Sequence, residues 1–79
     1  MYDKRMYVSS LEAGDMLQYT SLADGVLPYK MVCIDVKKNI PLHGLYLYDR
    51  ARFLVYDGAI MELNLFPDRL LSDYRLERI

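Results

Sequence analysis

The chain has one cysteine, one histidine and no tryptophan, and each scarcity excludes something. A lone Cys33 cannot close an internal disulfide, and with a single His43 the chain cannot supply the sulfur and nitrogen ligands of a structural zinc site. No apolar run approaches the ~20 residues that a membrane-spanning helix needs. The start, Met1-Tyr2-Asp3-Lys4-Arg5-Met6, has neither the apolar centre nor the small-residue cleavage site of a signal peptide. A soluble, cytoplasmic chain without a membrane partner is expected. Neither sign of charge is in surplus: ten basic residues stand against eleven acidic ones, for a formal net charge of -1. That argues against a mimic of DNA, which needs dense negative charge, and weakens any phosphate-driven affinity. Also missing are a dinucleotide fingerprint, a phosphate loop, an H-E-x-x-H zinc motif and a nucleophile elbow. No enzyme, no cofactor and no metal site is expected.

What is present describes one small domain over residues 1–79, with 53% apolar and 27% charged residues. Folding at this length hides roughly 60–65% of the unfolded chain's surface, so the core is small. The chain shows no repeat, no low-complexity tract and no linker. Its most informative stretch runs from Leu45 to Phe66 and reads as a three-stranded antiparallel meander: Leu45 to Tyr48, Phe53 to Tyr56 and Ala59 to Phe66, with Arg50-Ala51-Arg52 between the first two. Asp57-Gly58 lies between apolar runs and predicts a two-residue hairpin loop, whose central residues need positive φ. That loop would pair Tyr56 with Ala59, Val55 with Ile60, Leu54 with Met61 and Phe53 with Glu62. Leu54, Tyr56, Ala59, Met61, Leu63 and Leu65 would then form the core face. Phe53, Val55, Ile60, Glu62 and Asn64 would form the other.

Elsewhere, Met6-Tyr7-Val8 reads as a short strand, and Ser9 with Glu12 has capping-box spacing for a single helical turn. Met16 to Thr20 is a strand, Ser21 to Gly25 a turn, and Tyr29 to Val36 a β-branched strand that buries Cys33 and ends at Lys37-Lys38-Asn39. Ile40-Pro41 keeps the following connection extended. At the C-terminus, a short turn over Asp68 to Leu71 and a closing strand near Tyr74 to Ile79 are expected. The fold class is therefore mainly β: a small, strongly bent antiparallel sheet or partly open SH3-like barrel. The alternative is a two-layer α+β domain with a short C-terminal helix on the sheet.

Three residue groups bear on function. Cys33 reads as a small core residue, because a nucleophile needs a neighbouring base and access, and nothing in the sequence brings His43 to it. The scattered acidic residues read as turn formers, with Asp35, inside an apolar strand, the one that needs solvent or a partner. The eight tyrosines suit half-buried strand faces, and Tyr46 and Tyr48, opposite Leu45 and Leu47, have the rigid contact area of interface residues. The expected function is a non-enzymatic protein-binding module, an inhibitor, adaptor or subunit. It would dock through Tyr46, Tyr48, Phe53, Val55 and Ile60 on another protein or on a second copy as a homodimer. In brevity the chain is similar to phage-encoded inhibitors of host enzymes, an analogy of build that no motif carries. The alternative is a nucleic-acid-binding barrel using Lys37, Lys38, Arg50 and Arg52 with the rings of Tyr46, Tyr48 and Phe53.

Overall fold

A computed structural model describes residues 3–79. Tyr2, one of the eight tyrosines, lies outside the described residues. Five strands, β1 (Met16–Tyr19), β2 (Tyr29–Leu42), β3 (Tyr46–Val55), β4 (Ile60–Leu65) and β5 (Leu76–Arg78), form one antiparallel sheet in the order β4-β3-β2-β1-β5. Short 3-10 turns at Lys4–Met6, Val8–Ser10 and Leu71–Tyr74 are the helical elements among the described residues. The sheet begins at β4 and ends at β5 without pairing the two, so the domain is mainly β and built on one open five-stranded antiparallel sheet. The two-layer α+β alternative is set aside. The C-terminal segment is one 3-10 turn followed by β5, with Arg75 in the left-handed conformation ending the turn. Neighbouring Leu70 donates its N–H to the Asp73 carboxylate at 3.0 Å.

The inner face holds the core: Leu17, Met31, Cys33, Ala51, Phe53, Leu65 and Leu76 from the strands, closed by Val8, Leu11 and Leu71 from the connecting segments. Tyr7 to Ser9 reach the core by pairing across to residues 67–70. Val8 N–H donates to the Arg69 carbonyl at 2.8 Å, and Tyr7 makes an isolated antiparallel bridge with Leu70. The strand expected over Met6 to Val8 is thus reduced to one bridging residue between two 3-10 turns. The expected Ser9–Glu12 box does not form, because the Glu12 N–H is taken by the Asp15 carboxylate at 2.9 Å. Arg78 ties these pieces together. Its guanidinium donates to the Arg5 carbonyl, to the Ser10 carbonyl at 3.0 Å and to the Asp15 carboxylate at 3.0 Å.

The β3–β4 hairpin corrects the expected register by one residue. Its loop contains three residues, Tyr56, Asp57 and Gly58. Val55 N–H donates to the Ala59 carbonyl at 2.9 Å, and Gly58 N–H donates to the Val55 carbonyl at 2.8 Å. Gly58 adopts φ 89°, and the Asp57 carboxylate accepts the Ala59 N–H. A type I turn closed by a left-handed glycine uses the same Asp-Gly pair as a two-residue loop but adds one residue. Leu54 therefore faces Ile60, Phe53 faces Met61 and Ala51 faces Leu63. On β4 the inner residues remain Met61, Leu63 and Leu65, as expected. On β3 the faces are exchanged: Phe53 is 0% exposed, Val55 packs against the core, Leu54 is 40% exposed and Tyr56 80%.

Two further boundaries differ. β3 runs unbroken through Arg50-Ala51-Arg52, because Asp49, Ala51 and Phe53 point in while Arg50 and Arg52 are more exposed, and no Gly or Pro interrupts the period of two. β2 likewise continues beyond Lys37-Lys38-Asn39 to Leu42, through a bulge between Lys37 and Ile40. Asn39 takes φ 57° there, and its N–H donates to Asp49 Oδ1 at 3.0 Å. The buried Asp49 carboxylate thus stands in for the ladder bond that the bulge removes.

Candidate protein-docking face

Residues opposite one another in an antiparallel sheet share a face, so the registers define what the outer face presents. Met16 lies opposite Val32, Val32 opposite Leu54 and Leu54 opposite Ile60. These four side chains form an apolar row across β1 to β4. Met16 is 52% and Ile60 56% exposed, and Ile34, in the bulge beside the row, is also exposed. Two residues further along β3 the face turns charged. Asp35 stands opposite Arg52 and Arg52 opposite Glu62. Then Lys37 stands opposite Arg50 and Arg50 opposite Asn64. Glu62 Oε1 lies 3.3 Å from Arg52 Nε and 3.8 Å from Arg50 Nε. These pairs are solvent-facing and add little stability. Beyond the band the face is apolar again, with Ile40 opposite Tyr48 and Leu42 opposite Tyr46. This end is a two-stranded arm, since neither β1 nor β4 extends alongside it. From Leu54 to Tyr46 the face is about 27 Å long at the usual rise of a strand.

The predicted docking residues separate under this geometry. Tyr46, Tyr48 and Ile60 lie on the outer face. Phe53 and Val55 do not belong to an outer patch, since both point into the core. Of the basic residues, Lys37, Arg50 and Arg52 share the outer face, whereas the Lys38 ammonium turns back to donate to the Ser9 carbonyl at 2.9 Å. Asp35 meets solvent, in register with Arg52. Met16, Val32 and Leu54 were not legible as site residues, because their common row depends on the registers of three strand pairs.

The nucleophile arrangement is not assembled. Cys33 is buried on the inner face, its thiol directed at the Asp35 carbonyl at 3.7 Å, and burial pushes its pKa up, away from a reactive thiolate. His43 is exposed in the β2–β3 turn, at φ 41°, on the order of 30 Å further along the extended chain. Among the described residues, no group of three His, Cys, Asp or Glu side chains is placed to hold a metal ion. No helix among them is long and apolar enough to cross a membrane. A tyrosine cluster that the sequence does not announce sits near the β3–β4 turn. The rings of Tyr19 and Tyr29 are 5.3 Å apart, and those of Tyr29 and Tyr56 6.1 Å. Burial, with Tyr19, Tyr56 and Asp57 nearby, raises the Tyr29 phenol's pKa.

No known protein family, curated protein or solved structure matches the chain.

Proposed function

We propose that the chain is a non-enzymatic protein-binding module that docks through the outer face of its sheet. The observation that carries this reading is the uncovered row Met16, Val32, Leu54 and Ile60. Contiguous apolar side chains left in water by a small domain are the usual mark of an interaction surface. The charged band beside the row supplies orientation, because Asp35, Arg52 and Glu62 form a polar margin of alternating sign that disfavours partners of the wrong pattern. The exposed Tyr46 and half-buried Tyr48 on the arm extend the contact surface with rings that order at little entropic cost.

The second reading, nucleic-acid binding, has Lys37, Arg50 and Arg52 on one face with Tyr48 beside them. Lys38 and Phe53 are withdrawn from it, and Glu62 lies against both arginines. The two readings separate on paired variants. A partner captured by the parent chain should be lost from Leu54→Arg/Ile60→Arg and retained by Arg50→Glu/Arg52→Glu, with both variants folded. Binding of a short single strand, weakened steeply by salt and abolished by Arg50→Glu/Arg52→Glu, would replace the protein reading with the second.

A further inference from the structure

We infer that the free edge of β4 is the contact through which two copies of this chain join, strand against strand, about a two-fold axis. The docking face lies on the sheet's surface; this contact lies on its border and stands on different observations. The Val55–Ala59 pair is hydrogen-bonded. Alternation along the ladder then makes Phe53–Met61, Ala51–Leu63 and Asp49–Leu65 the bonded pairs. The N–H and C=O groups of Ile60, Glu62 and Asn64 consequently point away from β3. Among the described residues β4 pairs with β3 alone, so these groups form an unclaimed ladder.

Small β-proteins guard such edges with proline, lysine, bulges or very short strands. β4 has none of these over its six residues, and its one charge, Glu62, is held by Arg50 and Arg52. The opposite border is treated differently. β5 has three residues and carries Arg78, whose guanidinium contacts the Arg5 carbonyl in the 3-10 turn beside it.

The side chains of β4 select a second copy as the occupant. In a continued sheet, residues opposite each other must point the same way, which leaves two central registers for a two-fold pair. One sets Glu62 against Glu62 of the partner subunit and is opposed by like charge. The other sets Leu63 against the partner's Leu63, Met61 against the partner's Leu65 and Glu62 against the partner's Asn64. In this second register the inner face pairs apolar with apolar, and the outer face pairs a carboxylate with an amide donor. It covers Met61 and Leu63, which are half-exposed at the sheet's open border. Its ladder also ends naturally. The next pair would need Phe66, whose N–H is already donated to the Tyr74 hydroxyl at 2.9 Å and whose carbonyl accepts the Arg69 N–H. The resulting dimer places two docking faces in one continuous surface.

Sedimentation equilibrium of the full chain at micromolar concentrations should give twice the 9.3 kDa chain mass. Asn64→Pro removes an N–H that faces the free edge, so the variant should fold, by far-UV circular dichroism, and sediment as a monomer. Leu63→Cys should cross-link the parent dimer on mild oxidation, and Glu62→Cys should not. A monomeric parent, a folded Asn64→Pro dimer, or cross-linking by Glu62→Cys instead of Leu63→Cys would overturn the inference. If Asn64→Pro does not fold, hydrogen exchange on the parent decides. The Glu62 and Asn64 amides should be protected at high concentration and lose protection on dilution, and concentration-independent exchange would refute the pairing.

Discussion

Truncating Phe53 and its neighbour Leu54 in turn tests the hairpin register with two adjacent residues. Phe53 is 0% exposed in the centre of the core, whereas Leu54 is 40% exposed on the outer row. A buried Phe→Ala change costs about 3–5 kcal/mol through lost transfer energy and the cavity left behind. A domain of this length has about 4–12 kcal/mol of total stability at 0.05–0.15 kcal/mol per residue. Phe53→Ala therefore removes roughly a quarter or more of the fold's stability and should lower the unfolding midpoint strongly. Leu54→Ala removes a side chain that is already partly in water. Its cost should stay near or below about 1 kcal/mol, as at surface sites without special contacts. Urea titration followed by circular dichroism reads both, with the midpoint shifting and the slope unchanged where the transition stays two-state. A two-residue Asp57-Gly58 loop predicts the reverse order, with Leu54 inside. Equal costs, or a larger cost at Leu54, would refute the observed register and with it the apolar row assigned to docking.

Val55→Asp should unfold the chain and not merely dissociate an assembly, because Val55 packs on the core; a folded Val55→Asp protein by circular dichroism would contradict that placement. The Cys33 thiol should react slowly with an aromatic disulfide in the native state and rapidly in urea, since burial raises its pKa and blocks access. Because that pKa is raised in the fold from an ordinary value of 9.0, the fold prefers the protonated thiol. The associated stability is complete below pH 9 and is lost as pH rises through the raised value. Urea titrations at increasing pH should show that decline weakened in Cys33→Ser, leaving a component from Tyr29, whose phenol is raised from 10.0 in the same direction. Arg78→Met should cost about 1–3 kcal/mol through the lost charge-assisted bonds to the Ser10 carbonyl and the Asp15 carboxylate. An unchanged urea midpoint would show that the N-terminal turns are not held this way.

The amino-acid sequence by itself determined the class of this protein and most of its strands. Period-two alternation and β-branched residues marked β1, the first half of β2 and all of β4, and Asp57-Gly58 marked the hairpin. After Asp68 neither helical spacing nor alternation prevailed, and the turn expected over Asp68 to Leu71 with a strand near Tyr74 to Ile79 became a 3-10 turn at Leu71–Tyr74 and β5 at Leu76–Arg78. These signals are local, arising from φ/ψ preference and from the two faces of a strand. The burial of Cys33 followed from the same local reading. Tertiary structure decided the rest. An Asp-Gly pair serves loops of two or three residues, and the choice between them inverts every side chain of one strand relative to its partner. That single residue sent Phe53 and Val55 inward and Leu54 outward. Lys37-Lys38-Asn39 looked like a strand end, yet the chain continues because Asp49, ten residues on, reaches back to the Asn39 N–H. The apolar row depends on the registers of three strand pairs, and the open border of β4 on its failure to meet β5. Both are relations between segments distant in the chain, set by packing around a shared core, and no local preference encodes them.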